Sequence, residues 1–213
     1  PTEFHFAARG VSGWSDGLYH YRPSQHMAEQ RGAGDFGFDA PVTFLLTSIA
    51  WREAWKYRDR AYRYCLLDIG HAWQALELAA FAMGCRCVVE GAFEDAQISQ
   101  QFGLAADEWP MLLLSLRGPS IPIMSSNPGE PQWFGGTPNE LSVFPQLPDS
   151  ILEIHAAPCA AGPEWRVERP ISQLPVLGGR PFSEVVRGRR SALDFVGGDR
   201  KMTMAQLLSL LSL

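Results

Sequence analysis

The 213 residues contain no uninterrupted apolar run of about 18 residues, so no membrane-spanning helix is expected. A basic excess is missing as well. Eighteen Lys and Arg stand against 23 Asp and Glu, for a net charge of −5. That balance argues against a surface built to neutralise nucleic-acid phosphates. No Walker-type phosphate loop is present, and no dinucleotide-binding fold is indicated. Cysteine is scarce, with four residues at 65, 85, 87 and 159. None stands in a Cys-x2-Cys pair, and no His-x3-His accompanies them, so no metal site is expected. Cys85 and Cys87 alternate along a strand-like run, which is poor disulfide geometry. They are read as reduced, mostly buried thiols of a cytoplasmic protein. The opening Pro1-Thr2-Glu3-Phe4-His5-Phe6 has neither a basic nor an apolar leader region. It reads as the inside of an extended segment, as a processed or partial polypeptide would begin.

What is present fits a soluble globular chain, with 46% apolar and 19% charged residues. Phe4 to Gly10 and Gly17 to Arg22 read as two strands of a hairpin around a polar, Gly-containing turn. Pro41 to Ile49 is a nearly continuous apolar run, suited to a central strand. Trp51 to Tyr57 reads as a short helix. The longest helical signal follows. Leu66, Ile69, Trp73, Leu76, Ala80 and Met83 recur at three- and four-residue spacing, and Gly84 supplies the stop. Apolar or small residues extend around most of this helix, which predicts deep burial. Arg86 to Glu90 reads as a strand, Glu94 to Phe102 as a helix ended by Gly103, and Met111 to Leu116 as another strand. From residue 119 to about 180, prolines and glycines punctuate the chain. This stretch reads as a linker or wrapping arm with one or two helical turns at Ile151 to Ala156. Helix returns at Pro181 to Arg190 and again from Thr203 onward.

Three groups of residues carry candidate chemistry. Arg189-Arg190-Ser191 joins two guanidinium forks to a hydroxyl just after a helix, a donor set suited to phosphate. Taken by itself, such a triplet is most simply a solvated helix end. Glu90-Gly91 ends a strand where glycine lets a backbone amide approach a ligand closely; its plain reading is a strand-to-helix turn. Lys56-Tyr57 ends a helix, where a Tyr beside an ammonium can act as a base. Its plain reading is a solvated Lys beside a core Tyr. The histidines His20, His26 and His71 carry no recognisable pattern. The tryptophans read as core or interface residues.

Two stretches together resemble a known family. Lys56-Tyr57-Arg58-Asp59-Arg60-Ala61-Tyr62-Arg63-Tyr64 runs into Leu66-Leu67-Asp68-Ile69-Gly70-His71-Ala72-Trp73-Gln74, with Val88-Val89-Glu90-Gly91-Ala92-Phe93 about twenty residues on. That order resembles the second half of a nitroreductase-like flavin domain, most closely the SagB-type dehydrogenase branch. Val185-Val186-Arg187-Gly188-Arg189-Arg190-Ser191-Ala192-Leu193-Asp194-Phe195 resembles the front of another such domain, with Leu193 where the family pattern has a second basic residue. The resemblance implies an α+β fold: a mixed sheet flanked by helices around a long buried central helix. Residues 1–118 would form the C-terminal part of one domain, 119–180 the linker or arm, and 181–213 the N-terminal part of a second. It implies FMN as cofactor, with Arg189, Arg190 and Ser191 on the phosphate and Glu90 and Gly91 at the ring edge. Lys56 and Tyr57 would face a small-molecule or modified-peptide substrate as the catalytic pair. It also implies a homodimer or tandem pseudo-dimer. An alternative is a non-catalytic half that serves as a dimerisation or scaffold partner.

Overall fold

Alternating side chains at the start of the chain dictate the sheet. The computed structural model describes residues 1–119, 121–124, 127–136, 145–157, 166–168, 180–190, 198 and 201–211. The chain divides into two compact units, Pro1–Glu168 and Arg169–Leu213. In the first, strands β1 (Thr2–Ala8), β2 (Gly17–Arg22), β3 (Met27–Ala33) and β4 (Val42–Ser48) precede a short helix α1 (Trp51–Tyr57). A single 3-10 turn, Arg58–Arg60, leads into the long helix α2 (Ala61–Ala82). Then come β5 (Arg86–Glu90), α3 (Asp95–Phe102) and β6 (Trp109–Arg117). The arm adds β7 (Gln132–Trp133), α4 (Asp149–Ala156) and β8 (Arg166–Glu168). The strand order is β7-β3-β2-β1-β4-β6-β5-β8.

The fold is α+β, as expected. Every ladder among the described residues is antiparallel, where the sequence suggested a mixed sheet. β1 and β2, and β2 and β3, are joined by hairpins, and β5 returns to β6 through α3; β1/β4, β4/β6, β3/β7 and β5/β8 pair strands that are not consecutive in the chain. β3 escaped the sequence reading because Met-Ala-Glu-Gln-Arg-Gly-Ala lacks the β-branched and aromatic residues that mark strands. Its Gly32-Ala33-Gly34-Asp35-Phe36-Gly37 has the spacing of a dinucleotide turn. It leads to β4 with no helix between, so it lacks the helix N-terminus such a turn requires.

Residues directly opposed in the ladders share a face. On one face, Leu46, Cys87, Val89, Leu112 and Leu114 pack against Ile69 of α2, with Phe4, Phe44, Trp73 and Leu76 beside them. On the other, Ala7, Leu18, Leu45 and Leu113 pack against Ile98 and Phe102 of α3. Leu45, Leu46, Val89 and Leu114 are fully inaccessible. Burying each such side chain contributes about 1.5–3 kcal/mol.

The helix α2 covers the sheet with one side only. Leu66 and Leu67 are about half exposed, at 49% and 51%, while Ala61, Cys65, Ile69 and Ala80 are buried. The apolar stripe therefore runs one residue off the expected one at its start, through Cys65 rather than Leu66. Deep burial on most sides, read from the composition, does not occur, because no second layer among the described residues lies over its outer face. Gly84 and Gly103 end α2 and α3 with φ of 72° and 61°, the left-handed conformation that glycine adopts without a steric penalty.

A third cluster closes the corner between α1 and α2: Ala50, Ala54, Ala61, Cys65, Trp109 and Ile151. Ile151 comes from α4, so the Pro-rich arm supplies a fully buried side chain to the core. His155 of the same helix stacks on Trp109, with ring centroids 3.8 Å apart. β7 and β8 pair with β3 and β5 at the two edges of the sheet. In the second unit, α5 (Phe182–Gly188) and α6 (Met204–Leu211) are the described helices. Val185, Val186, Leu207 and Leu208 are exposed.

Candidate functional site

The registers bring several chain ends to one edge of the fold. Thr2 opposes Ser48, and Ser48 opposes Trp109. The end of β4 therefore lies with the starts of β1 and β6, and the end of β5 comes to the same side through Glu90 opposite Leu113. Strand ends leave loops free of the ladder, which is where binding groups are commonly held.

Lys56 and Tyr57 close α1, the helix that follows the end of β4. The Lys56 Nζ lies 5.1 Å from the Tyr57 ring centroid, so the ammonium rests on the ring face as a cation–π contact. The Tyr57 ring stacks on Tyr64 at 4.1 Å and packs against the corner cluster that holds Ile151. Arg60 Nη2 donates to the Tyr64 hydroxyl at 2.7 Å. Arg58, the next residue, has φ 52° and ψ −136°. A non-glycine residue there stores about 1–3 kcal/mol, and such strain gathers at functional sites. The structure thus brings the predicted pair together and fixes its aromatic member from three sides.

Glu90 and Gly91 stand at the end of β5, Glu90 half-buried and Gly91 exposed. Glu90 belongs to a row of directly opposed residues: Glu90, Leu113, Leu45, His5, His20 and Glu29. All six therefore share the α3 face. Three strand spacings separate Glu90 from His5, or about 14 Å.

Arg189 and Arg190 follow α5 in the second unit, both exposed. Arg190 Nη1 donates to the carbonyls of Arg187 and Arg189 at 3.2 and 2.8 Å. Ser191 lies outside the described residues. These basic groups stand in a different unit from Lys56, Tyr57, Glu90 and Gly91.

The histidine constellation escaped the sequence reading. His5 Nε2 bonds Glu108 Oε1 at 2.7 Å, and the Thr47 hydroxyl donates to the same oxygen at 2.5 Å. His20 Nε2 bonds Glu3 Oε2 at 2.9 Å, while Arg52 donates to Glu3 Oε1. The two imidazoles stack with centroids 4.7 Å apart and planes 28° from parallel. Glu3, His5, His20, Arg52 and Glu108 line a cleft of about 350 Å³ with Arg31, Trp51 and Asp107. Burial pushes the Glu3 carboxyl up, but hydrogen bonds from His20 and Arg52 outweigh it and hold the group below the ordinary carboxylate range. Glu108 is likewise held down, because His5 and Thr47 outweigh its burial. A hairpin register would have placed His5 opposite His20. Nothing local announces Glu108 or Arg52, which arrive from far along the chain.

Three buried cysteines, Cys65, Cys85 and Cys87, are unbridged thiols, as expected. Burial, then the charge of Glu77, pushes Cys87 up to about 12, which leaves it an inert core thiol.

The sheet and its covering helices place the chain among α+β proteins with functional groups collected at one sheet end. The nitroreductase family profile matches residues 8–118, and the chain belongs to that family. A Methanocaldococcus jannaschii protein named as a nitroreductase is 28% identical over 127 residues, covering 54% of this chain. The chain spans about 63% of that relative's length. A crystal structure of an Anabaena variabilis protein, also named as a nitroreductase, aligns with a TM-score of 0.50 and 26% identity. It covers 55% of this chain and 27% of that one. A chain of the E. coli microcin synthetase McbBCD complex, solved with truncated pro-MccB17 bound, aligns at a TM-score of 0.49 and 21% identity. That alignment covers 55% of this chain and 51% of the other. Among the described residues, no helix is long and apolar enough to cross a membrane.

Proposed function

We propose that the protein is an FMN-dependent oxidoreductase of the SagB-type dehydrogenase branch, acting in the cytoplasm as a homodimer or tandem pseudo-dimer. The observation that carries this reading is the Glu90–Gly91 turn, exposed at the end of β5 within the span matched by the nitroreductase family. The chemistry of the donor set fits a flavin mononucleotide. Arg189 and Arg190 carry exposed guanidinium groups with N–H donors beyond those used on local carbonyls. These would hold the phosphate together with Ser191. Gly91, in the first unit, has no side chain to block an approach to its amide; there Glu90 and Gly91 would sit at the ring edge of the flavin of a separate domain copy, apart from the one whose phosphate Arg189, Arg190 and Ser191 would hold. When bound, the flavin supplies two-electron hydride chemistry.

The residues of this chain handle the proton. Tyr57, held by Tyr64, Lys56 and the corner cluster, faces the substrate as base, with Lys56 beside it. The substrate is a small molecule or a modified peptide. Purified protein should be yellow, and mass analysis of the flavin released on denaturation should identify FMN. Protein that neither carries FMN nor takes it up when FMN is added would sink this reading and leave the scaffold role. Sedimentation of the FMN-loaded protein tests the dimer; a stable monomer with no paired domain would count against it.

A further inference from the structure

The arm helix α4 takes no part in the function proposed above, yet it is fastened to the α1–α2 corner at three points. Ser150 Oγ donates to Asp59 Oδ1 at 2.6 Å, on the turn that joins α1 to α2. Ile151 belongs to the corner cluster and is fully inaccessible. His155 lies four residues further on, hence on the same helix face. Its ring stacks on Trp109 with centroids 3.8 Å apart and planes 12° from parallel. The Tyr62 ring of α2 stands 6.1 Å away. The helix has only eight residues. Helices that short are marginal in water by themselves, so α4 depends on what it docks against. Of the three contacts, only that of His155 involves a side chain that charges near neutral pH.

The surroundings decide what a proton on His155 does. Stacking strips water from the half-buried imidazole, and burial disfavours its charged form. Asp95, an exposed carboxylate at the start of α3, pulls the other way. Burial is the larger effect, so His155 is held below its ordinary value of 6.5. The other charged groups on the packed elements are in solvent or engaged. Glu94 beside Asp95, Arg63 beside Tyr62, and Asp149 and Glu153 on α4 itself are exposed. Glu108, next to Trp109, accepts from His5 and Thr47, and Asp59 accepts from Ser150. The folded-state value of His155 thus lies below the unfolded one. Docking is fully supported above the unfolded value of 6.5 and weakens as the pH falls through it towards the docked value.

We propose that α4 is an acid-released latch, in which protonation of His155 breaks its seat on Trp109 and frees the helix from the α1–α2 corner. Tyr57 packs against the same cluster, so release takes away one wall behind it. That consequence rests on the role proposed for Tyr57. The latch itself does not, and its test needs neither flavin nor substrate.

The test uses the full chain, labelled with ¹³C and ¹⁵N in its histidine rings. A ring lying flat on an indole has its proton signals displaced upfield by the indole's ring current. The His155 signals are those missing from His155→Phe. On titration from pH 8 to pH 5, His155 should protonate with a midpoint below 6.5, and its signals should lose the upfield displacement in step. The amides of α4 should exchange faster over the same range, measured against those of β4 in the same sample. His155→Phe keeps a flat ring for Trp109 but cannot take a proton, so its α4 protection should stay level relative to β4. Asp95→Asn removes the carboxylate that favours the charged ring and should move the His155 midpoint further down. A ring that protonates while keeping its displaced signals would show that the Trp109 face retains the charged form, and would overturn the latch. A midpoint at or above 6.5 would overturn it as well, as would the same loss of α4 protection in His155→Phe. An Asp95→Asn midpoint that stays or rises would count against the balance of burial and charge from which the latch follows.

Discussion

Glu108→Gln isolates the charge of one buried carboxylate while keeping its shape. Glu108 Oε1 accepts both the His5 N–H and the Thr47 hydroxyl. The amide oxygen of glutamine can accept the same two donors, so no buried group is orphaned. What changes is the character of the two bonds. Hydrogen bonds to a charged group contribute about 1.5–3 kcal/mol each, against about 0.5–1.5 for neutral ones. The substitution should therefore cost about 2–3 kcal/mol at pH 7. Glu108→Ala, which strands both donors at about 1–3 kcal/mol each, should cost about 2–6 kcal/mol. The pH dependence gives the sharper signature. The folded-state pKa of Glu108 is lowered from an ordinary value of 4.5. Its charge-dependent stability is fully present above the unfolded value and is lost as the pH falls through the folded one. Urea melts of both proteins at pH 7, 5, 4 and 3 should show the wild-type advantage intact at pH 7 and 5 and shrinking below. An advantage that stays constant from pH 7 to pH 3 would refute a carboxylate origin for it.

Four further outcomes are expected. Ile151→Ala should cost about 2–5 kcal/mol in urea melts, because the arm's fully buried side chain leaves a cavity in the corner cluster; a loss below about 1 kcal/mol would mean the arm is not part of the core. Arg58→Gly should stabilise the fold by about 1 kcal/mol by relieving a positive φ, and unchanged or lower stability would show that no strain is held there. Arg190→Ala should weaken FMN binding by about 1.5–3 kcal/mol, roughly 10- to 150-fold, as one charge-assisted hydrogen bond is lost; unchanged affinity in a fluorescence titration would reject its phosphate role. Tyr57→Phe should retain the fold and bound FMN while turnover falls about 10²- to 10⁴-fold, whereas normal turnover would reduce Tyr57 to a packing residue.

The parts of the fold legible in the sequence are those whose signal is local. α1, α2, α3, β5 and β6 announce themselves by periodicity and by the glycines at 84 and 103. β3 does not, because its Glu29, Gln30 and Arg31 near the sheet edge carry no apolar alternation. The arm's elements were half visible. Ile151 sits in a short helical pattern, but the site it fills is formed by Ala54, Ala61 and Trp109, far away in sequence. The candidate residues divide in the same way. Lys56-Tyr57 and Glu90-Gly91 are contiguous motifs and could be read directly. The His5–Glu108 and Glu3–Arg52 contacts join residues 103 and 49 positions apart, so only the tertiary fold reveals them.

The helix α1 connects the two candidate sites physically. Its first residues, Trp51 and Arg52, reach into the cleft, where Arg52 holds Glu3. Its last residues, Lys56 and Tyr57, meet Tyr64 and the corner cluster. Five residues of helix separate Arg52 from Tyr57, a rise of about 7.5 Å. One short rigid element therefore fixes the distance between the guanidinium that holds Glu3 and a cation-capped tyrosine. Such spacing would be hard to hold if either group stood on a free loop. It rests instead on Ala54, buried midway along α1 against α2. It rests also on Ile151 of the arm, which presses on the same corner. The arm thus steadies the element that carries Arg52 and Tyr57.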